Sequence, residues 1–216
     1  SPNNIIERLT TNSSGQTETI ELPAPPIELS LNEANTTRPY TTYNIRIEAL
    51  GYETEFIENA EILPDVLAIQ NVRLTSKNAS LTEDIMIPDH TLYGEYPPKV
   101  PEEEIKPVNE PGEIVLSRVV VPEIIVVHDG IPSDSSAQNY YVNYRDYIKN
   151  VASSEIYATW PTATIEANVL AIMSFTLNRV YTEWYRNKGY DFTITSSTAY
   201  DQKWIYGRNI FESISL

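Results

Sequence analysis

Between Ala167 and Leu177 the chain is apolar almost all round a helical turn, interrupted only by Asn168, Ser174 and Thr176. A helix without a polar face has to sit in the middle of a core. Trp160-Pro161 breaks the chain just before it, and Pro161 suits the first helical position. From Asn178 the pattern turns amphipathic, with Val180, Tyr181 and Trp184 set against Arg179, Glu183 and Arg186. Asn187-Lys188-Gly189 is a stop signal. The predicted helix therefore spans about 162–187. Before it, the β-branched runs Val119–Val121 and Ile124–Val127 read as strands separated by Pro122. Tyr147, Ile148 and Val151 place a second helix over about 144–156. Asp191–Thr198 reads as a strand, and Asn209–Leu216 as the start of a helix.

The N-terminal half has a different character. Residues 1–117 hold 20 of the 30 acidic side chains but only 7 of the 15 basic ones. Tyr43–Ala49 alternates apolar and polar at period two and turns at Leu50-Gly51-Tyr52. Ile69–Leu74 and Thr17–Leu22 are further strand candidates, and Asn12-Ser13-Ser14-Gly15 has the chemistry of a tight turn. Pro97-Pro98, Pro101, Glu102-Glu103-Glu104, Pro107 and Pro111 deny both helix and central strand. We read this region as a semi-rigid linker, with an irregular strap along a single domain as the alternative. The expected architecture is multidomain: an all-β sandwich over 1–77, a Pro/Glu-rich acidic linker over 78–117, and an α+β domain over 118–216 around the long buried helix.

Composition excludes several functions. A net charge of −15 opposes partners held through phosphates, so no nucleic acid is expected. No apolar run reaches 18 residues, so no membrane insertion is expected. With no cysteine and only His90 and His128, disulfides, thiolate sites and histidine clusters are excluded; no metal and no cofactor are predicted. No glycine-rich phosphate loop is present. His128-Asp129 beside Ser133 and Ser135 reads as a β-turn rather than a catalytic set.

Two resemblances add to this reading. Residues 4–77, with the Asn12–Gly15 turn, Tyr43–Ala49, Gly51-Tyr52-Glu53 and Val72-Arg73-Leu74, resemble the carboxypeptidase-regulatory-like, transthyretin-like β-sandwich. That family has a strand before the segment supplied here by Ile5–Leu9. The resemblance therefore implies a sandwich that is open-edged, or completed by another segment or a neighbouring molecule, in a chain excised from a longer protein. Over about 140–210, Tyr147–Ile156, Trp160-Pro161 and Ile165–Ala171 resemble the signature of the stage II sporulation protein D / LytB family. Tyr190-Asp191-Phe192 and Ile205-Tyr206-Gly207 echo its downstream blocks.

This second resemblance implies a peptidoglycan-acting protein of a spore-forming Gram-positive bacterium, extracellular, at the cell wall or spore surface, with glycan strands as its partner. The implied catalyst is Glu155, acting as the single acid and base of a lytic transglycosylase. Asn168 stands where the family has Gln, and Gln202, Tyr206, Tyr147 and Trp160 are the implied substrate-binding residues. The family's Arg-Thr-Tyr is Met173-Ser174-Phe175 here. Tyr200, Asp201 and Gln202 occupy positions where some members carry metal-binding His and Cys, so no metal is implied. Read as chemistry alone, Glu155 fits a helix cap or a surface ion pair better than a catalyst, and it is the motif position that brings the two readings level. The rival function is therefore a non-catalytic structural or adhesive surface protein that keeps the fold.

Overall fold

The computed structural model describes residues 4–78, 84–101 and 116–215. Its elements in chain order are α1 (Glu28–Leu31), β1 (Thr41–Ile47), β2 (Glu55–Ile62), β3 (Ala68–Ile69), β4 (Ile85–Met86), β5 (Ile124–His128), β6 (Asn139–Asn143), α2 (Tyr144–Glu155), α3 (Thr162–Tyr181), β7 (Ile194–Thr195), β8 (Ile210–Phe211) and α4 (Glu212–Ser215). Among the described residues these form a mixed α+β fold with three small sheets, ordered β1-β2-β4, β3-β8 and β6-β5-β7.

The sheet around β5 explains its sequence. β5 pairs with β6 on one side, antiparallel, and with β7 on the other, parallel. Ile125 and Val127 point into the core with Tyr147, Val151 and Ile172 from the two long helices. Val126 points the other way, into a cluster with Trp184, Tyr185 and Phe192. A central strand covered on both faces needs a continuous apolar run, which is what Ile124–Val127 provides.

α3 corrects the expectation of a helix buried on every side. Ile165, Ile172, Thr176 and Arg179 are buried, whereas Ala167, Leu170, Ala171 and Ser174 are exposed. Leu170 keeps 62% of its surface in water. The helix also ends at Tyr181 rather than near 187. Thr182 donates its N–H and its hydroxyl to Asn178 O, and Glu183 takes a left-handed conformation at φ 49° that stops the helix. The stop signal Asn187-Lys188-Gly189 instead closes a short 3-10 turn over 186–188, with Gly189 at φ 85°.

The N-terminal half does not show the separate β-sandwich. Residues 4–78 supply only β1, β2 and β3 to sheets, and β3 pairs with β8 from the C-terminal end. The strand candidates Ile5–Leu9 and Thr17–Leu22 are irregular, although Asn12–Gly15 does turn, with Asn12 Oδ1 accepting from Ser14 N and Gln16 N. Val119–Val121 is likewise exposed and irregular. Tyr40 and Leu63 are buried in the same core as the helices. The described part of the linker region, 84–101, packs as a strap: Thr91 donates to Ser154 O, and Val100 N donates to Ala199 O. Its Pro/Glu stretch from 102 to 111 lies outside the described residues.

A bulge explains how the halves join. β1 and β2 slip register between Tyr43 and Ile45, and Asn59 sits at φ 62°. The extra residue resets the in–out alternation, so Ala60 joins Ile57 in one cluster and Glu61 is also buried. Asn209 then brackets Glu61, accepting from its N–H at 3.0 Å and donating to its carbonyl at 2.8 Å. Arg208 reaches the Glu61 carboxylate at 3.4 Å, both side chains being almost fully buried. Burial pushes Glu61 up to about 7 against the pull of Arg208.

Gly207 makes this approach close. It has φ 70°, and an added Cβ would meet Ile85 Cδ1 at 2.5 Å. Gly207→Ala is expected to cost about 1–3 kcal/mol from backbone strain and this clash together. Urea unfolding measures the loss, and Ile85→Ala in the same chain should return part of it.

Candidate functional site

The candidate site is built on α2. Asn143 starts the helix, its Oδ1 accepting from Arg145 N at 3.0 Å. The core-facing side carries Tyr147, Ile148, Val151 and Ala152. A second side carries polar groups, and these take the place of a neighbouring strand for the segment 202–211. Tyr147 OH donates to Gln202 Oε1 at 3.2 Å. Asn150 donates to Ile205 O at 2.8 Å and accepts from Ile205 N at 2.9 Å. Ser154 Oγ accepts from Arg208 Nη1, and Ser153 Oγ accepts from Phe211 N. Glu155 belongs to the same row: its Oε1 accepts from Lys203 N at 2.7 Å.

Glu155 occupies the last turn of α2, the negative end of the helix dipole and an unfavourable place for a carboxylate. Burial raises its pKa; the Lys203 N–H and the positive charge of Lys99 pull it back. The strap brings Lys99 here, its Nζ donating to Asp201 O at 2.8 Å. Lys203 has its Nζ 5.7 Å from the Tyr96 ring centre, and burial lowers its pKa. The strap also covers the helix end: Thr91 takes Ser154 O, and His90 Nε2 lies 3.3 Å from Ile156 O. Burial pushes His90 down to about 3, so its ring stays neutral and Nε2 donates to that carbonyl.

The other implied site residues fall in different places. Gln202 is buried and fully engaged: Oε1 also accepts from Thr176 Oγ1 at 2.8 Å, and Nε2 donates to Ile172 O at 3.1 Å. Tyr147 is fully buried, and its hydroxyl pKa is raised well above the ordinary value by that burial. Tyr206 stacks on Tyr140 at 4.7 Å and stays 38% exposed, three residues beyond the Lys203–Glu155 bond. The structure thus gathers Glu155, Tyr147 and Gln202 along one helix–segment seam, whereas Tyr206 turns to Tyr140 on β6. Asn168 lies on α3 and donates back to Thr164 O within that helix. Trp160 donates from Nε1 to Ser30 O and meets Tyr157 edge-on. Neither bonds to Glu155.

Three groups at this seam were not singled out by sequence reading. Asn150 and Lys203 are two. The third is the set behind Asp201, which is 2% exposed. Arg179 Nε donates to Asp201 Oδ1 at 2.8 Å, and Oδ2 accepts from Tyr185 OH, Thr195 N and Thr195 Oγ1 at 2.6–2.9 Å. The Arg179 guanidinium lies between Phe175 and Trp184, at 4.5 and 4.0 Å from their ring centres. Among the described residues no group of three His, Asp or Glu side chains could hold a metal ion. A shallow cleft of about 170 Å³ is lined by Pro122, Ile124, Val180, Glu183, Arg186 and Phe192, and Glu155 does not contribute to it.

Comparison with protein-family models, with curated proteins and with solved structures finds no match.

Because Asp201 accepts from Arg179 in a buried site, its loss strands a charge. Asp201→Ala is expected to cost about 3–5 kcal/mol in chemical denaturation.

Proposed function

We propose that this chain acts on peptidoglycan as a lytic transglycosylase, with Glu155 as its single acid and base. One observation carries the reading. At the position where the sporulation-protein signature implies the catalyst, the chain holds a carboxyl in a helix's last turn, its pKa raised by burial and one oxygen fixed by a backbone N–H. A general acid for neutral pH needs such a setting.

The chemistry needs no second carboxylate. Protonated Glu155 gives its proton to the glycosidic oxygen as the bond from that oxygen to the muramic C1 breaks. The muramic C6 hydroxyl then bonds to C1, and its proton returns to the Glu155 carboxylate. No water enters, unlike ordinary glycoside hydrolysis with its carboxylate pair. Tyr206, half-exposed and stacked on Tyr140 near the seam, offers an aromatic face to the glycan. The setting for this activity is extracellular, at the cell wall or spore surface of a spore-forming Gram-positive bacterium.

A second reading is a non-catalytic surface protein that retains the fold. It is favoured by the mutual engagement of Tyr147 and Gln202 in the core and by the strap covering the end of α2.

Incubation with purified peptidoglycan and mass spectrometry of the products separates the two. The enzyme reading expects 1,6-anhydromuropeptides, with Glu155→Gln lowering their release by about 10²–10⁴-fold. Activity needs the protonated form, so the rate should fall as pH rises through the Glu155 pKa. That limb lies above the ordinary carboxyl value because burial raises it. No product from the wild-type chain supports the non-catalytic reading.

A further inference from the structure

Glu155 is held by a main-chain group, so its geometry depends on whatever fixes that main chain. Lys203 N lies between two anchors. Upstream, Gln202 is tied by Tyr147, Thr176 and Ile172. Downstream, Ile205 is gripped through both its N–H and its carbonyl by Asn150, which is only 8% exposed. The downstream anchor is one side chain. A short amide is suited to it, with a donor and an acceptor on one stem that match the two groups of an extended residue. Asp could only accept, and Ala could do neither.

We propose that Asn150 is a positioning residue for Glu155: its amide fixes Ile205 and thereby sets where the Lys203 N–H meets the carboxyl. The inference rests on the reading of Glu155 as the catalytic acid, and it adds a residue that acts only through the main chain. Without the amide, the buried Ile205 N–H loses its partner, its carbonyl keeps only the 3.4 Å bond from Arg208 N, and the segment shifts to recover what is lost. The Lys203 N–H then meets Glu155 less well, and a bond that favours the charged carboxylate is weakened. The other groups facing Glu155 are Lys99 from the strap and Tyr147 on α2, and the substitution leaves both in place.

The test is a ¹³C-carboxyl NMR titration of the full chain, with Glu155→Gln identifying the Glu155 resonance. Asn150→Ala should move its midpoint upward relative to wild type. Asn150→Gln, with the same amide one methylene further out, should fall between the two. On peptidoglycan, Asn150→Ala should lower kcat by roughly tenfold to a hundredfold while KM changes little. Ile57→Val, in the N-terminal cluster that meets the segment at Gly207 rather than at Asn150 or Lys203, should leave the midpoint unmoved. An unchanged midpoint in a folded Asn150→Ala chain, or an equal shift in Ile57→Val, overturns the proposal. Should Asn150→Ala not fold, Asn150→Gln decides: a midpoint above wild type supports the proposal, and the wild-type midpoint overturns it. The titration needs no substrate, so it can fail separately from the assignment of Glu155, which is judged by product release in Glu155→Gln.

Discussion

The segment 202–211, buried except around Tyr206, has no neighbouring strand among the described residues along most of its length. Buried main-chain donors and acceptors must find partners. Here helix side chains supply them: Glu155 to Lys203 N, Asn150 to both groups of Ile205, and Ser153 to Phe211 N. The same segment then serves the N-terminal half. Asn209 brackets Glu61 as Asn150 brackets Ile205, β8 pairs with β3, and Gly207 lets Ile85 approach. The candidate acid and the junction between the halves of the chain therefore depend on one set of side-chain to main-chain bonds.

Two buried ion pairs flank this seam and are built differently. Asp201 receives four hydrogen bonds, one of them from the Arg179 guanidinium, and that guanidinium is enclosed by two aromatic rings. Hydrogen bonding of this kind offsets the cost of burying a carboxylate. Glu61 is less well served. Arg208 reaches it at 3.4 Å, and its other oxygen, Oε1, has no hydrogen-bond partner among the described residues. Burial raises its pKa against the pull of Arg208. The tight pair holds the chain immediately before Gln202, where the position of the Lys203 N–H is determined. The looser pair lies at the junction with the N-terminal half.

The legible parts of the fold were those that local pattern controls. The α2 span, the β5 run and the Asn12–Gly15 turn follow from periodicity and turn chemistry. The all-round apolar pattern of α3 misled because Ala167, Leu170 and Ala171 are exposed, and composition cannot say which side of a helix meets water. The sandwich expectation rested on Tyr43–Ala49, which supplies β1, and on Thr17–Leu22 and Ile69–Leu74, of which only Ile69 joins a sheet; β2, the bulge at Asn59 and the pairing of β3 with β8 are set by contacts remote in sequence. At the candidate site, Glu155 was named through a resemblance to a family motif. Asn150 was not: an Asn inside a helix gives no signal until Ile205 is placed against it. Gln202 was named for a role toward substrate, whereas its side chain is occupied by Tyr147, Thr176 and Ile172.

Residue-resolved amide hydrogen exchange tests the dependence of the whole on this seam most directly. The account predicts that the amides of Lys203, Ile205 and Phe211 exchange as slowly as those in the middle of α2, with the same opening free energy, and that Glu61 N–H follows them. Exchange of these amides at loop rates while α2 remains protected would contradict it.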